Sequence, residues 1–183
     1  MPPSEKVIEA VQTGHHKDIG LNVRSRRISK KIGIYKRVFG RLFADVFHSG
    51  KPITWVDVGC GYGEVIESVT PLLSPGSRVL GYEPMPAKAE KAQALGLDVI
   101  QGYLRLGSIR ADIVSAVDIF SHIPDFHSFL VVVADNLSKH GLLYLETGNL
   151  ADLKRRDDFP GELGVPDHLV FAGEKQLETT GLL

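Results

Sequence analysis

Trp55-Val56-Asp57-Val58-Gly59-Cys60-Gly61-Tyr62-Gly63-Glu64 is the stretch on which the reading of this chain turns. Up to Val58 its residues are mostly β-branched and apolar, which suits a buried strand. Three glycines at alternate positions follow, and Glu64-Val65-Ile66-Glu67-Ser68-Val69 then takes up helical spacing. Strand, glycine turn and helix in that order form a nucleotide-binding corner. A backbone without Cβ atoms turns sharply and lets a ligand come close. The alternative is a tight strand-to-helix turn that holds nothing. Cys60 sits where a small residue is wanted and reads as a filler rather than a nucleophile.

The 183 residues around this corner suffice for one domain with a proper core. With 43% apolar and 23% charged residues the composition is that of an ordinary soluble protein. No apolar run approaches the roughly 18 residues of a membrane span. Met1-Pro2-Pro3-Ser4-Glu5-Lys6 lacks the charged-then-apolar pattern of a secretory signal. A single cysteine cannot close an internal disulfide, so a cytoplasmic location is expected. The net charge of −1 hides an asymmetry. Residues 1–51 carry eleven Lys/Arg against four Asp/Glu, and residues 52–183 carry ten against eighteen. The expected organisation is therefore a basic helical arm or cap, 1–51, ahead of a nucleotide-binding domain, 52–183.

Ser4 can cap a short helix over 4–13, and residues 14–20 read as a loop. Ile28, Ile32, Tyr35, Val38, Phe39, Leu42, Phe43 and Val46 follow helical spacing and predict a helix over 25–47. Gly33 and Gly40 mark where it would break. Lys and Arg crowd its remaining faces. They make it a packed helix with a solvated basic face, a lid steering an anionic acceptor, or a membrane-surface helix. No nucleic-acid-binding module is recognisable, and none is expected to act.

From residue 52 strands and helices alternate. Strands are predicted at 53–58, 78–83, 97–101, 112–117 and 142–146, with helices at 64–73, 86–95 and 125–138. This predicts an α/β fold, a doubly wound and mostly parallel sheet of five visible strands with a helical N-terminal extension. Ligands of such sheets bind beyond the carboxyl ends of the strands. Those ends carry Gly59, Gly61 and Gly63, then Glu83-Pro84-Met85, then Gly102-Tyr103, then Val117-Asp118 and on to His122. Glu83 lies twenty residues beyond Gly63, where a carboxylate can take both hydroxyls of a ribose.

A dehydrogenase fingerprint wants its third glycine one position later, where this chain has Glu64. Over 52–183 the chain instead resembles the class I S-adenosylmethionine-dependent methyltransferases, whose fold is Rossmann-like. "VDVGCGYGE" resembles their first motif, Glu83 their acidic ribose position, and "DIVSAVDIFSHIPD" (112–125) their fourth-strand segment. "GLLYLETGNL" (141–150) and "DHLVFAGEKQLETTGL" (167–182) are similar to the fifth strand and the segment after it in small-molecule members.

The resemblance implies an enzyme with S-adenosylmethionine as donor and S-adenosylhomocysteine as product, acting on a small-molecule acceptor, more readily at oxygen. Asp57 and the backbone of Gly59, Cys60, Gly61 and Gly63 would hold the methionine part. Glu83 would bind ribose, and Pro84 and Met85 would flank adenine. Gly102 and Tyr103 would border the base, where the family often carries an acid that is missing here. Val117 and Asp118 would border the methionine end. An oxygen acceptor has a proton to lose, and a positioned histidine assists such a step by about 10²–10⁴-fold. His168, in the segment after strand five, is the expected base, ahead of His122; His127 reads as surface. No metal site is expected.

The alternatives are an S-adenosylmethionine-binding module without catalysis and, third, an NAD-dependent dehydrogenase. The basic arm hints at an anionic acceptor. Family members continue past the equivalent of Leu183 with an antiparallel strand pair. Strand five would therefore be left as an open edge, and the expectation is either a truncated gene product or an edge covered by the arm or by a partner, such as a second copy in a homodimer.

Overall fold

The structure is a computed structural model that describes residues 26–148. These fall into two compact units, one of residues 26–117 with 130–144 and one of residues 118–129 with 145–148. The expected helix over 4–13, the loop 14–20, the segment 167–182 and whatever covers strand five lie outside the described residues.

The larger unit opens with helix α1 (Arg26–Leu42) and the short α2 (Ala44–His48). Strand β1 (Thr54–Val58) leads through the glycine turn into α3 (Glu64–Val69), which tightens into a 3-10 turn at Thr70–Leu72. Strand β2 (Arg78–Glu83), helix α4 (Pro86–Ala94), strand β3 (Val99–Gln101) and strand β4 (Ala111–Val117) follow. Helix α5 (Phe126–Asn136) and strand β5 (Leu137–Glu146) each have residues in both units.

The sheet order is β3-β2-β1-β4-β5. Strand β1 pairs in parallel with β2 and β4, and β2 pairs in parallel with β3. The chain thus winds outward from β1 to β3 and then returns to β4 on the other side. This is the Rossmann-like, doubly wound arrangement expected, and it puts the switch in strand order at β1 and β4. Both faces of these two strands are buried: Trp55 and Ile113 on one, Val56 and Val114 on the other. That is why their sequences run nearly continuously apolar instead of alternating.

Tyr35, Phe39 and Phe43 recur every fourth residue and pack on Trp55, Val65, Val69 and Ile113. Lys30, Lys36, Arg37 and Arg41 of the same helix are exposed. The stripe through Tyr35, Phe39 and Phe43 therefore lies on the core and the basic face in solvent, whereas Leu42, expected in the stripe, is 61% exposed. The break comes at Phe43, not at Gly33 or Gly40. Phe43 leaves helical geometry (φ −112°, ψ 26°) while its ring meets Trp55 edge-on at 5.1 Å. Burying that ring outweighs the roughly 1 kcal/mol that either glycine costs the helix. Phe43 N–H still donates to Phe39 O and Phe47 N–H to Phe43 O, so the helix bends without ending.

Strand β5 starts five residues earlier than its apolar run suggests, at Leu137 instead of 142. The helix expected to run to Ser138 ends at Asn136, and Leu137-Ser138 with Lys139-His140-Gly141, which fall between the expected elements, are held extended by tertiary contacts. The Arg110 guanidinium donates to Leu137 O at 2.9 Å, and Ser138 Oγ donates to Asp112 Oδ1 at 3.3 Å. Asp112 Oδ2 accepts the Thr54 N–H at 2.9 Å. The aspartate that opens β4 therefore pins the starts of its neighbours. Among the described residues no helix is long and apolar enough to cross a membrane.

Candidate functional site

The glycine turn takes its shape from β2. Gly59 and Cys60 both donate their N–H groups to Tyr82 O, at 2.8 and 3.1 Å, and Gly63 N–H closes the turn on Cys60 O at 2.8 Å. Gly63 is the residue before α3 and has φ 90°, a left-handed conformation in which a Cβ would also run into Leu97. A larger residue there would meet strain and collision together.

Cys60 packs beneath this turn against Gly81 of β2. A Cβ at Gly81 would come within 2.5 Å of Cys60 Sγ and 2.8 Å of Ile66 Cδ1. Burial first, and then the negative charges of Asp57, Glu83 and Glu64, push the Cys60 thiol far up from its ordinary range. A thiol kept neutral is a poor nucleophile, and its geometry is that of a filler.

Glu83 ends β2 and is only 5% exposed. Its Oε2 accepts the Gly61 N–H at 2.8 Å and its Oε1 accepts the Met85 N–H at 2.9 Å. One carboxylate therefore staples the glycine turn to the start of α4. Each oxygen keeps a second lone pair, so two further hydrogen bonds remain available. Pro84 and Met85 are half-buried beside it. Gly102 N–H donates to Glu83 O at 2.9 Å, which brings the end of β3 to the same corner. Tyr103 is exposed; partial burial and then Glu83 push its hydroxyl up.

Asp57, in the middle of the sheet, is 2% exposed. Its Oδ1 accepts the Ser115 hydroxyl at 2.6 Å, and its Oδ2 accepts no hydrogen bond from the described residues. Burial raises its pKa to about 7; Ser115 pulls it down, while Glu64 and Glu83 push it up. A buried carboxylate with a bare oxygen is costly unless a cationic partner joins it.

Two residues join this corner that composition and motif did not single out. Lys88 of α4 places its Nζ 5.9 Å from the centroid of the Tyr62 ring. Burial lowers the Lys88 pKa, while Glu83 and Glu64 raise it. Its place three residues into the helix after Glu83-Pro84-Met85 was the available signal. Tyr62 projects from the turn itself, and burial followed by Glu64 and Glu83 pushes its hydroxyl up.

Asp57, Gly59, Cys60, Gly61, Gly63, Glu83, Pro84, Met85, Gly102, Tyr103 and Val117 all lie in the larger unit. Asp118 and His122 belong to the smaller one. Asp118 is the only non-glycine residue with positive φ (58°) among the described residues, and its N–H donates to Glu146 O at 2.9 Å. His122 ends a 3-10 turn, Phe120–His122, and its N–H donates to Ile119 O at 2.9 Å. Asp125 accepts from Ser128 N–H at 3.0 Å and Ser128 Oγ at 2.6 Å, which holds its carboxyl below the usual range. Phe120 and Phe126 meet edge-on at 4.6 Å. His127 is exposed, and His168 lies outside the described residues. Among the described residues no group of three or more His, Cys, Asp or Glu side chains could hold a metal ion.

Against known proteins, a family model described as a methyltransferase domain matches residues 27–178. A curated relative, the ubiquinone biosynthesis O-methyltransferase of Methylobacterium sp. (strain 4-46), is 32% identical over 107 residues, 53% of this chain and 41% of that protein. The chain therefore spans less than half the length of the curated relative it matches. Among solved structures, the plantazolicin methyltransferase BpumL in complex with SAH superposes with a TM-score of 0.53 at 17% identity, over 78% of this chain and 61% of that one. An S-adenosylmethionine-dependent methyltransferase from Clostridium acetobutylicum ATCC 824 gives 0.54 at 14% identity, over 69% and 53%. At such identities these two establish likeness of fold.

Proposed function

The chain belongs to the methyltransferase-domain family, and from that premise we propose that it binds S-adenosylmethionine at the glycine corner and transfers its methyl group to a small-molecule acceptor. The observation that carries this reading is the pair of buried carboxylates beside the turn. Among the described residues nothing donates to the second oxygen of Asp57, and Glu83 keeps two lone pairs after stapling the loop. The first suits an ammonium group and the second a ribose diol, so the residues present fit the two ends of such a donor.

The donor supplies a sulfonium-activated methyl group. The protein's task is then to bind, align and exclude water, and alignment alone is worth roughly 7–11 kcal/mol of barrier. Glu83 fixes the turn and the α4 start relative to each other, so the ribose position is set before binding. Pro84, Met85, Gly102 and Tyr103 form the proposed base-flanking wall, and Val117 and Asp118 the border of the methionine end. The exposed Lys30, Lys36, Arg37 and Arg41 of the 1–51 arm favour an anionic acceptor through long-range attraction. An oxygen acceptor accords with the curated relative, whose name specifies an O-methyltransferase. His168 is the proposed base, with His122 the next candidate. Loss of less than tenfold in turnover by His168→Ala would remove it from that role.

Calorimetric titration with S-adenosylmethionine tests the foundation: binding is expected in the micromolar range, and no heat at millimolar donor would sink it. The absence of an acidic side chain at Gln101-Gly102-Tyr103 favours a second reading, donor binding without catalysis. Single-turnover assays over a panel of acceptors separate the two, since a pure binder methylates nothing.

A further inference from the structure

We propose that Trp55 and Ser115 form a buried hydrogen-bond relay that orients the Asp57 carboxylate, which makes both positioning residues for the amino-acid end of the donor. The inference rests on the proposed donor site and adds to it a pair of residues outside any motif.

The direction of the relay follows from chemistry. An indole nitrogen can only donate, and Trp55 Nε1–H donates to Ser115 Oγ at 2.9 Å. The serine oxygen, having accepted, has a single proton to pass on. Two acceptors face it: Asp57 Oδ1 at 2.6 Å and Val56 O at 3.4 Å. The shorter contact to the ionisable oxygen takes the proton, so the carboxylate receives a charge-assisted bond at the end of a polarised chain. Strand register brings the three together. Asp57 and Ser115 are direct partners across β1 and β4, and Trp55 lies two residues earlier on the same face as Asp57. None of the three is more than 2% exposed.

Trp55 is itself immobilised. Phe39 and Phe43 meet its ring edge-on at 5.3 and 5.1 Å, and Phe47 stacks on it at 6.3 Å with the planes 8° apart. Those phenylalanines come from α1, α2 and the bend between them, so the N-terminal helices fix the indole, the indole fixes the hydroxyl, and the hydroxyl fixes one carboxylate oxygen. The other oxygen, Oδ2, accepts no hydrogen bond from the described residues and is the one proposed to meet the ligand. A relay that only satisfied the indole N–H could have ended on Val56 O without any acid.

Among the described residues the other ionisable groups that interact with Asp57 are Glu64 of α3, Glu83 at the end of β2 and Cys60 in the turn. The two glutamates oppose ionisation of Asp57 and Ser115 favours it. Donor affinity should therefore fall as pH drops through about 7, where Asp57 takes up a proton and loses its charge for the ammonium group. Without the Ser115 hydroxyl that fall should begin at higher pH.

The test uses the full chain with Ser115→Ala, Trp55→Phe and Ser115→Thr. Calorimetry gives the Kd for S-adenosylmethionine from pH 6 to 9. Side-chain carboxyl NMR follows Asp57 titration in the ligand-free proteins. Ser115→Ala should weaken binding about tenfold or more at pH 7, the scale of a charge-assisted hydrogen bond, and shift both midpoints upward by about one unit. Trp55→Phe keeps an aromatic ring but removes the donor together with the second ring, and because it leaves the Ser115 hydroxyl in place it should move both midpoints the same way by less. Ser115→Thr, which keeps the hydroxyl, should restore the wild-type midpoints. A wild type that binds, with variants of unchanged Kd and unchanged midpoints, overturns the relay and leaves the donor site standing. A wild type that binds no donor overturns the donor site. The NMR midpoints then decide the carboxylate–hydroxyl coupling alone: if Ser115→Ala leaves them in place, that is refuted too. Lower melting temperature with unmoved midpoints would mark a purely structural bond and also refute the proposal.

Discussion

Two clusters of buried side chains support the glycine corner, and they are built on opposite principles. One is aromatic: Tyr35, Phe39, Phe43 and Trp55, with Val65, Val69 and Ile113. The other is made of small groups: Cys60, Ala89 and Ala92, with Ile66 and Val99. The aromatic cluster fills a wide gap between helix and sheet, where rings supply area and mutual edge-to-face contacts. The small cluster does the reverse. It removes volume so that α4 and the turn can come down on β2, where Gly81 leaves room for the Cys60 sulfur. Bulk holds the N-terminal helices in place, and the lack of bulk lets the loop approach the strand ends. Shape at the corner depends on both.

The comparison can be broken most forcefully from the aromatic side. Phe39 is fully buried and touches Trp55 and Tyr144 at centroid distances of 5.3 and 5.0 Å. Phe39→Ala should cost about 3–5 kcal/mol, read as a drop in denaturation midpoint at unchanged slope.

Next comes Asp57, which borders both clusters through its charge. Its pKa is raised from 3.8 to about 7 in the folded chain. The folded state therefore binds the extra proton between those values, and stability declines as pH rises from about 4 to about 7. Asp57→Asn removes the buried charge and should stabilise the ligand-free protein at pH 8 by on the order of 2–3 kcal/mol, with little change near pH 3. The same variant should bind S-adenosylmethionine at least tenfold more weakly. Melting curves at the two pH values, run beside calorimetry, check both halves; a variant less stable at pH 8 would refute the assignment of cost.

Overfilling the small cluster is gentler than emptying the aromatic one. Gly81→Ala should cost about 1–2 kcal/mol, because the sulfur of Cys60 must shift to make room. A Gly81→Ala, Cys60→Ala double variant should recover part of that loss, since the sulfur at 2.5 Å is gone while Ile66 Cδ1 at 2.8 Å remains, and this non-additivity sets collision apart from backbone entropy. The smallest effect is expected far from either cluster. Arg78 and Asp98 form a 2.9 Å ion pair with both side chains about half exposed, so Arg78→Ala should change stability by no more than about 0.5 kcal/mol.

The division between what was and was not legible in the sequence follows the same line. Strand β2 was read at its full extent, Arg78–Glu83, because the short Val79-Leu80-Gly81-Tyr82 run is bounded by Pro75-Gly76 on one side and Pro84 on the other. The stripe of α1 was equally plain, since periodicity along one helix is a property of that helix alone. What could not be read depends on partners remote in sequence. Ser115 looks like any small residue of a buried strand until register sets it opposite Asp57, 58 residues away. The early start of β5 needed Arg110 and Asp112 to hold four polar residues extended. The bend at Phe43 needed Trp55. Glu83 was legible as an acid at a strand end twenty residues beyond Gly63, but its hold on Gly61 was not, because no pattern shows where a carboxylate's second oxygen turns.

Cys60 gives the chain a built-in reporter. The thiol is the only one in the sequence, and burial first, then its negative neighbours, keep it protonated. A thiol this buried should meet an alkylating reagent when the packing of the turn on Gly81 opens, so the rate of alkylation is expected to report those openings. A ligand that closes the turn should slow this single chemical clock in proportion to its occupancy. Mass spectrometry of one peptide would follow binding without a label or an assay for turnover.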